Sequence, residues 1–380
     1  MPPSVCFAAY SAGEIVERIR NDPCFKPTLG IIFSSVDIGI PELSSAAASL
    51  GIPLFGASTA GEILPLPGEP APVLEQSAVC CFVNPDPSVF SVALFERGDD
   101  SAADLGNRIG AWGLQAFSDP AFVIAISGLK NDGEAIVRGI EAACPPKTPV
   151  FGGMSGDDGN FQETFVFSHT GYSADGAVVI VFDRSAVSID GIASSGWVGV
   201  GTEMVVTSSE GNVVHAINNR PAAEIFKDYL KVNDKMLLKV GITFPLLVRR
   251  PDGTEVLRAF ISVDPSTGSL YFAGSVPQGA KVRFSSSFGY ETIERSIRTL
   301  REFHAGHRKA SLILLFSCIA RHRVAGPAVS DEIRAVSSLW DAPVIGFFTY
   351  GEIGYNREGT CDFYNETLSL VRVDFTREPV

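Results

Sequence analysis

Short apolar runs alternate with amphipathic stretches along this chain, and the alternation recurs. Four runs have the length and composition of a buried strand, and each is followed by apolar residues at helical spacing. The strand-like runs span residues 28–36, 121–128, 212–218 and 311–318, and the helix-like stretches span 40–51, 134–144, 221–230 and 329–340. The pattern therefore predicts four strand–helix units.

A second apolar run, opened by a proline, follows each helix-like stretch. "PLFGASTAGEI" begins at Pro53, "PVFGGMSGDDG" at Pro149 and "PVIGFFTYGEI" at Pro343, and a degenerate copy, "PLLVRRPDGTE", begins at Pro245. The three clear copies are spaced by 96 and 194 residues, which is close to one and two periods. Self-similarity at a fixed period indicates repeated structural units.

Two further strand-like runs follow the proline phrase in each of the first two units. They span residues 77–83 and 89–95 in the first unit, and 164–170 and 176–182 in the second. Their alternating pattern predicts antiparallel pairing there. Helix-like connectors at 101–117 and 288–303 follow the first and third units. We therefore predict an α/β fold with two similar halves, residues 1–195 and 196–380. Each half contains two strand-helix-strand-loop-strand-strand units, forming mixed sheets with helices on the outer faces.

The three clear phrases share a hydroxyl residue and, three positions later, a carboxylate. The pairs are Thr59 with Glu62, Ser155 with Asp158, and Thr349 with Glu352. The spacing is that of a helix capping box, but prolines follow Glu62 and no helical pattern follows Glu352. Two interpretations remain: tight turns in which glycine supplies unusual backbone angles, or loops that line a ligand site at strand ends. In the second case we expect the first and fourth loops to share a cleft between the halves.

A cysteine and a cation follow the strand-like run of the fourth unit. Cys318 ends the run and Arg321 comes three residues later, while Lys130 occupies the corresponding region of the second unit. An arginine at a strand end can bind a ligand carboxylate in a bidentate manner. The alternative is a structural arginine that pairs with a nearby acid.

Composition narrows the classes of partner. The net charge of −13 argues against nucleic acid and anionic membranes as partners. The longest strongly apolar runs are strand-sized, so no membrane insertion is expected. Seven cysteines without a C-x-x-C pair favour reduced thiols. No signal-peptide pattern opens the chain, and a cytoplasmic location is expected.

Several motifs together resemble those of the FIST domain family. They are "FGASTAGEI", "FGGMSGDDG", "FSCIAR", "GFFTYGEI" and "YNETLSLV", and the resemblance covers nearly the whole chain as a FIST N-terminal and a FIST C-terminal domain. It implies an intracellular sensory module that binds a small ligand such as an amino acid. The signal would leave through a separate partner, such as a histidine kinase or another signalling protein. Tyr364 stands before Asn365 where histidine is expected in many relatives.

The main hypothesis is accordingly a ligand sensor without cofactor or metal. Arg321 would bind the carboxylate of an amino acid, and Glu352 or Glu62 would bind its ammonium group. The predicted ligand-binding residues are Ser58, Thr59, Gly61, Glu62, Lys130, Ser155, Asp158, Cys318, Arg321, Thr349, Tyr350, Gly351, Glu352 and Asn365.

Two alternatives stay open. Some members of the FIST family are described as haem-binding nitric oxide sensors, so the resemblance also implies this alternative. Non-covalent haem would need an axial ligand, for which His215 and His322 are the candidates. A cysteine-dependent enzyme would use Cys318 as nucleophile, with His322 as the nearest base. No catalytic motif supports this alternative, so we predict no catalytic residues and no enzymatic activity.

Overall fold

A computed structural model of the protein describes residues 4–22, 25–69, 71–129, 131–233, 235–237, 243–357 and 359–376. Three mixed sheets of six strands and one antiparallel sheet make up the fold. Within these ranges, none of the helices has both the length and the apolar character needed to cross a membrane.

The first unit, residues 4–83, alternates strands and helices and carries a small hairpin before its last strand. Its elements are β1 (Ser4–Ala9), α1 (Ala12–Arg20), β2 (Leu29–Ser34), a 3₁₀ turn (Val36–Ile38), α2 (Ile40–Leu50), β3 (Leu54–Ser58), β4 (Glu62–Ile63), β5 (Val73–Leu74) and β6 (Ala78–Val83). Helix α1 lies outside the predicted elements. Its signal is a capping-box pattern, in which Ser11 accepts the Glu14 N–H and Glu14 accepts the Tyr10 N–H.

The second unit, residues 90–183, repeats the same succession after a 3₁₀ turn at Pro87–Val89. Its elements are β7 (Phe90–Glu96), α3 (Ala102–Ala116), β8 (Pro120–Ile126), α4 (Gly133–Ala143), β9 (Val150–Met154), β10 (Val166–Ser168), β11 (Gly171–Ser173) and β12 (Gly176–Asp183). The two long helices match the predicted helix-like stretches to within about a residue.

The third unit, residues 195–289, is an insertion within the fourth. It follows β13 (Val187–Ser194), the first strand of the fourth unit. The third unit contains β14 (Val198–Glu210), β15 (Val213–Ile217), β16 (Arg220–Pro221), α5 (Ala222–Leu230), β17 (Leu246–Arg249), β18 (Glu255–Arg258), β19 (Phe260–Val263), β20 (Leu270–Phe272) and β21 (Lys281–Ser286). The sheet order is β18-β17-β21-β14-β15-β20-β19, with β16 on β15. Only Ala259 separates β18 from β19, so a nearly continuous strand joins the two ends of this sheet.

The fourth unit resumes after the insertion and ends the described chain. It contains α6 (Tyr290–Gly306), β22 (Leu312–Cys318), α7 (Ile319–Ala325), a 3₁₀ turn (Gly326–Ala328), α8 (Val329–Leu339), β23 (Val344–Thr349), β24 (Glu352–Tyr355), β25 (Cys361–Tyr364) and β26 (Leu368–Phe375). Apart from α7 and the insertion, the succession is that of the first two units.

The three mixed sheets share one strand order, and each takes its last two strands from another unit. The orders are β1-β6-β2-β3-β10-β11, β7-β12-β8-β9-β24-β25 and β13-β26-β22-β23-β4-β5. The pairs β2–β3, β8–β9 and β22–β23 are parallel, and the other pairings in these sheets are antiparallel. The second unit's hairpin thus completes the first unit's sheet, the fourth unit's completes the second's, and the first unit's completes the fourth's.

Each mixed sheet is buried on both faces. The inner faces share one apolar core, in which the rings of Phe33, Phe316 and Phe347 lie 4.6–6.3 Å apart between centroids. Helices cover the outer faces: α1 and α2 on the first sheet, α3 and α4 on the second, α6 and α8 on the third. Burial on both faces explains why the central strands read as continuous apolar runs.

The predicted fold class, a mixed α/β protein with several mixed sheets and outer helices, is confirmed. The grouping of the repeats differs from the predicted two similar halves. The first, second and fourth units are equivalent, whereas the third unit has another topology. A short turn at Asp252–Gly253 returns β17 directly to β18 in antiparallel pairing, whereas a parallel pair needs a helical crossover. The insertion is about as long as one period, so Pro245 falls on the repeat spacing without sharing the topology.

The strand-like runs that follow the proline phrases have other partners than expected. Strand β6 lies between β1 and β2, and β7 pairs with β12 of the second unit. Likewise β10 pairs with β3 and β11 rather than with β12. The pairing is antiparallel as predicted, but much of it joins different units.

Candidate functional site

The strand-end loops of the first, second and fourth units meet one another. They span residues 58–62, 154–158 and 348–352, and the hairpin exchange brings them together because each leads toward a strand in another unit's sheet. Backbone hydrogen bonds of 2.8–3.2 Å run from Ala60 to Phe348, from Asp158 to Thr59 and from Tyr350 to Met154. The first and fourth loops therefore approach each other as expected, but through direct contact rather than across an open cleft.

In the first loop, Glu62 is fully buried and both of its carboxylate oxygens accept hydrogen bonds. The Thr59 hydroxyl donates to Oε1, and the N–H and hydroxyl of Ser77 donate to Oε2 at 3.2 and 2.8 Å. Burial raises the pKa of Glu62 to about 7, against the lowering effect of these bonds. The carboxylate ties the loop to the residue that precedes β6.

The fourth loop repeats this arrangement. The Thr349 hydroxyl donates to Glu352 Oε1 at 2.6 Å, and the N–H and hydroxyl of Thr367 donate to Oε2 at 3.2 and 2.8 Å. Burial raises the pKa of Glu352 to about 8, and the Cys318 thiol also hydrogen-bonds this carboxyl group. Ser77 and Thr367 each follow their glutamate by 15 residues, a spacing that the sequence analysis did not use.

The second loop uses its carboxylate differently. Asp158 accepts hydrogen bonds from the Ser35 hydroxyl at 3.0 Å and the Val36 N–H at 3.1 Å, both in the first unit. Burial raises the pKa of Asp158. The hydroxyl of Ser155 is buried without a hydrogen-bond partner among the described residues. The carboxylates at this shared position of the phrase therefore make different contacts: Glu62 and Glu352 bind residues of their own unit, whereas Asp158 binds the first unit.

Two further predicted residues also make internal contacts. The Ser58 hydroxyl donates to the carbonyl oxygen of Gly156 at 2.6 Å. The Tyr350 hydroxyl donates to the Asp157 carboxylate, its ring stacks on Phe161, and its pKa is raised mainly by burial. These side chains hold the loops together.

The glycines of the first and fourth phrases have separate roles. Gly61 adopts a φ of +123°, a backbone angle that other residues rarely adopt. A Cβ on Gly351 would lie 2.1 Å from the ring of Phe363, so this glycine allows close packing. Together with the satisfied carboxylates, these contacts favour the turn interpretation of the loops.

A different polar group lies where β22 ends, beneath the first residues of the third unit. We call it the buried polar cluster, and it comprises Trp197, Cys318, Arg321, Glu332 and Glu366. Arg321 is fully buried; its guanidinium donates to Glu332 at 2.5 Å and to the carbonyl oxygens of Ser195 and Glu366 at 2.6 and 3.2 Å. This geometry favours a structural arginine paired with an acid.

The cluster nevertheless contains polar atoms without partners in the described chain. They are Trp197 Nε1, Arg321 Nε, Glu332 Oε2 and both carboxylate oxygens of Glu366, five of the eight such buried side-chain atoms. Buried polar groups in folded proteins nearly always have a hydrogen-bond partner. These atoms are therefore available to hydrogen-bond water or a bound polar molecule.

The charge states of the acids and the thiol follow from their burial. Burial raises the pKa of Glu366 well above its usual value, and the nearby Glu352 adds to this while Arg321 opposes it. Burial also raises the pKa of the Cys318 thiol, with Glu352 and Glu366 contributing. Burial therefore favours the thiol form of Cys318 and the protonated form of Glu366, and a cation beside Glu366 would favour its carboxylate.

Sequence reasoning found Cys318 and Arg321 but missed Trp197, Glu332 and Glu366. Glu332 carries a signal, because it lies on the apolar face of helix α8 between Val329 and Val336. An acid on a buried helix face predicts a buried cation partner. Trp197 carried no such signal, since it belongs to the third unit and reaches the cluster only in the folded molecule.

Two predicted residues, Asn365 and Lys130, remain. The side-chain oxygen of Asn365 accepts the Ala259 N–H of the third unit at 3.4 Å. Lys130 lies outside the described residues. In helix α4, Glu134 accepts a hydrogen bond of 3.1 Å from the fully buried Arg258, which joins the third unit to this helix.

The surroundings of the two histidines do not fit haem. The side chain of His215 is exposed, and its Nδ1 lies 2.9 Å from the Ser269 hydroxyl. The ring of His322 stacks on Phe348 with 4.6 Å between centroids. Neither place is the apolar slot that a porphyrin requires. Within the described part of the chain, no group of three or more His, Cys, Asp or Glu is placed to hold a metal ion.

The cysteine-nucleophile alternative gains no support from this geometry. Cys318 immediately precedes helix α7, and His322 lies within this helix. The raised pKa of Cys318 disfavours the thiolate that would act as nucleophile.

Comparison with known proteins extends these observations. Residues 28–220 match the FIST N domain and residues 222–355 match the FIST C domain. An uncharacterized protein of Mycobacterium bovis is 28% identical over 179 residues, which cover 43% of this chain and 45% of that protein. An uncharacterized protein of Mycobacterium tuberculosis is 24% identical over 220 residues, 55% of this chain and 57% of that protein. The chain thus spans about half the length of the curated relatives it matches.

FIST domains are generally sensor domains of signal transduction and are not a known enzyme family. The two matched ranges together take in the proline phrases of all four units. The arrangement of a FIST N domain followed by a FIST C domain agrees with the order of the motifs along the chain. The chain belongs to the FIST domain family.

Proposed function

We propose that the protein is a sensory domain that binds a small polar molecule in the buried polar cluster and signals through a separate partner protein. The observation that carries the proposal is the set of five buried polar atoms, around Arg321, that lack hydrogen-bond partners among the described residues. A histidine kinase or another signalling protein is the class of partner that a sensor domain of this family needs. The proposed ligand is an amino acid, as expected from the sequence.

The unpartnered atoms are of two kinds. Arg321 Nε and Trp197 Nε1 are N–H donors, which suit a ligand carboxylate. The oxygens of Glu366 and the second oxygen of Glu332 are acceptors, which suit an ammonium group. A zwitterion such as an amino acid presents both. The Arg321–Glu332 pair would stay intact, since only the Nε of the guanidinium and the free oxygen of the acid are needed.

The position of the cluster supplies a route for the signal. Ser195 and Trp197 cover it, and they are the residues at which the chain passes from β13 into the third unit. A ligand can reach the cluster only if this cover moves. Binding would therefore favour one arrangement of the third unit relative to the mixed sheets, which is what a partner could recognise. We also propose the domain boundary near residue 195, where this passage begins.

The proposal is tested by thermal shift against a panel of amino acids. A true ligand at about 100 times its Kd should add about 2.7 kcal/mol to the free energy of unfolding. Glu366→Gln should weaken binding by about 1.5–3 kcal/mol, because a charge-assisted hydrogen bond to the ammonium group is lost. Trp197→Phe, which removes only the N–H donor, should have a smaller effect in the same direction.

Glu62→Gln is the matched control, because both oxygens of this buried carboxylate already have partners in the chain. It should leave the ligand-induced shift unchanged. A shift lost in Glu62→Gln but kept in Glu366→Gln would move the site to the strand-end loops. If no amino acid shifts the wild-type protein, water occupies the cluster and the proposal is wrong.

A further inference from the structure

A pair of thiols lies away from the polar cluster, at the edge of the first unit's sheet. Cys6 and Cys81 are directly opposite each other on the antiparallel strands β1 and β6. Their sulfur atoms are 2.8 Å apart, longer than a covalent S–S bond of about 2.05 Å but with no room for another atom between them. Both are free thiols, and among the described cysteines this is the pair whose sulfurs the structure brings into contact.

The backbone geometry of the pair suits a disulfide. Residues directly opposite on antiparallel strands have Cα atoms about 4.5–5.5 Å apart, which lies within the range of about 4.4–6.8 Å that disulfides require. Strand β1 is at the end of its sheet, so it pairs with β6 on one side only. A small adjustment of this edge strand would close the remaining distance between the sulfurs.

Only one of the two thiols, that of Cys6, is accessible to solvent. Cys6 is partly exposed and lines a cavity of about 690 Å³ between the first and fourth units. Pro65, Leu66 and Pro72 of the β4–β5 hairpin form one wall, and Trp340 and Pro343 of the fourth unit form another. Cys81, by contrast, is fully buried in the core that the three sheets share. A reagent in the cavity therefore reaches Cys6 and does not reach Cys81.

We propose that Cys6 and Cys81 form a thiol switch, in which a hydroperoxide entering the cavity converts the pair to a disulfide. The sulfur of Cys6 attacks one oxygen of the peroxide, the O–O bond breaks, and the second oxygen takes the proton of the Cys6 thiol and leaves as an alcohol or water. Cys6 is then a sulfenic acid. The sulfur of Cys81 attacks the sulfur of Cys6, the S–S bond forms, and the hydroxyl leaves as water with the proton of Cys81. Two thiols are oxidised by two electrons and one peroxide is reduced.

The roles of the two thiols follow from their surroundings. The hydrogen bond with Cys6 and burial raise the pKa of Cys81, which disfavours direct reaction of Cys81 with an oxidant; its attack on oxidised Cys6 depends on the contact between the two sulfurs. Cys6 is the group that meets the oxidant, and Cys81 resolves the sulfenic acid before further oxidation. The disulfide would fix the edge strand β1 to β6 along one border of the cavity.

The test uses the full chain, reduced and then treated with hydrogen peroxide, alkylated, digested without reductant and sequenced by mass spectrometry. We expect a linked peptide pair that joins Cys6 to Cys81, with the loss of two titratable thiols per chain. Cys81→Ser should instead accumulate the sulfenic acid at Cys6, which dimedone traps several-fold more than in the wild type. Cys6→Ser should show neither product.

Cys80→Ser is the matched control, because Cys80 precedes Cys81 in the same strand but packs on the opposite, helix-covered face. It should form the linked pair at the wild-type rate. If wild-type Cys6 is oxidised to sulfenic or sulfinic acid without a link to Cys81, the switch is wrong. The wild-type peptide map alone decides this, so the conclusion does not depend on how well the variants fold.

Discussion

The first and fourth units end their parallel strands with the same hydroxyl–carboxylate contact, but their surroundings differ. Gln76 and Glu366 precede Ser77 and Thr367, and both adopt a positive φ, 54° and 58°. Gln76 is exposed, whereas Glu366 is fully buried. The difference comes from the third unit, whose first residues cover the fourth unit's strand ends and have no counterpart on the first.

This contrast separates the contacts that both units share from those that only the fourth unit has. In the first unit, the carboxylate of Glu62 is satisfied and the neighbouring position faces solvent. In the fourth unit, Glu352 is satisfied in the same way, and the added cover encloses further charged groups. The hydroxyl–carboxylate contact is thus shared by both units, whereas the buried pair of Arg321 and Glu332 occurs in the fourth unit alone.

The largest expected effect concerns the ion pair found in the fourth unit alone. Arg321→Ala should lower the free energy of unfolding by about 3–5 kcal/mol, because Glu332 is left charged and buried without its partner. Denaturant unfolding of the ligand-free protein measures this. Arg334→Ala is the control, since its pair with Asp331 lies at the surface and should matter by about 0–1 kcal/mol. Equal losses in the two variants would mean that the buried pair is not structural.

The next effect concerns pH and the two equivalent glutamates. Their pKa values, about 7 for Glu62 and about 8 for Glu352, lie above the unfolded value of 4.5. The folded protein therefore holds these protons more tightly, and the stability they contribute is complete below about pH 4.5. It is lost as the pH rises through 7 and then 8, by about 1.4 kcal/mol per unit of pKa difference.

Each glutamine variant should remove the part of the pH-dependent loss of stability that its glutamate causes. Glu62→Gln should remove the loss that is complete near pH 7, and Glu352→Gln the loss that extends to about pH 8. Unfolding of wild type and both variants between pH 5 and pH 9 measures this. Asp158 lies near Glu62, and Cys318 lies near Glu352, so the wild-type curve also contains their titration. Identical curves for the two variants would show that cover by the third unit does not change the environment of Glu352.

The smallest effect compares the glycine that follows each proline by three residues. A Cβ on Gly346 would lie 2.2 Å from the backbone oxygen of Leu315, while one on Gly56 would lie 2.4 Å from the ring of Phe167. A ring can turn and a backbone in a parallel sheet cannot. We expect Gly346→Ala to cost about 3 kcal/mol and Gly56→Ala about 1 kcal/mol, the two ends of the range for overpacking. Thermal unfolding measures both, and the reverse order would contradict the comparison.

The sequence predicted the elements of this fold well where local pattern decides them. The five predicted helices of the three equivalent units have the periodicity of amphipathic helices, and their bounds agree with prediction to within about three residues, whereas α1 and α7 were not predicted. The hairpin exchange was not predictable in this way. Strand β4 has only two residues, Glu62 and Ile63, and its partners in β23 lie almost 300 residues away. No local signal encodes such a pairing.

The same distinction applies to the site. Arg321 was recognised because it follows an apolar strand, and this signal is local. Its acid partner lies on helix α8, and the indole of Trp197 comes from the inserted third unit. Whether an arginine binds a ligand or a neighbouring acid depends on which distant element lies beside it.

The exchange of hairpins also has a consequence for synthesis of the protein. The first sheet needs strand β11, which ends at Ser173, and the second needs β25, which ends at Tyr364. The last sheet combines β4, made near the beginning, with β26, which ends at Phe375. While the ribosome is still adding the last hundred residues, one edge of β4 and one edge of β9 have no strand to pair with. Unpaired strand edges template aggregation, so the exchange leaves the nascent chain open to aggregation until its final strands emerge.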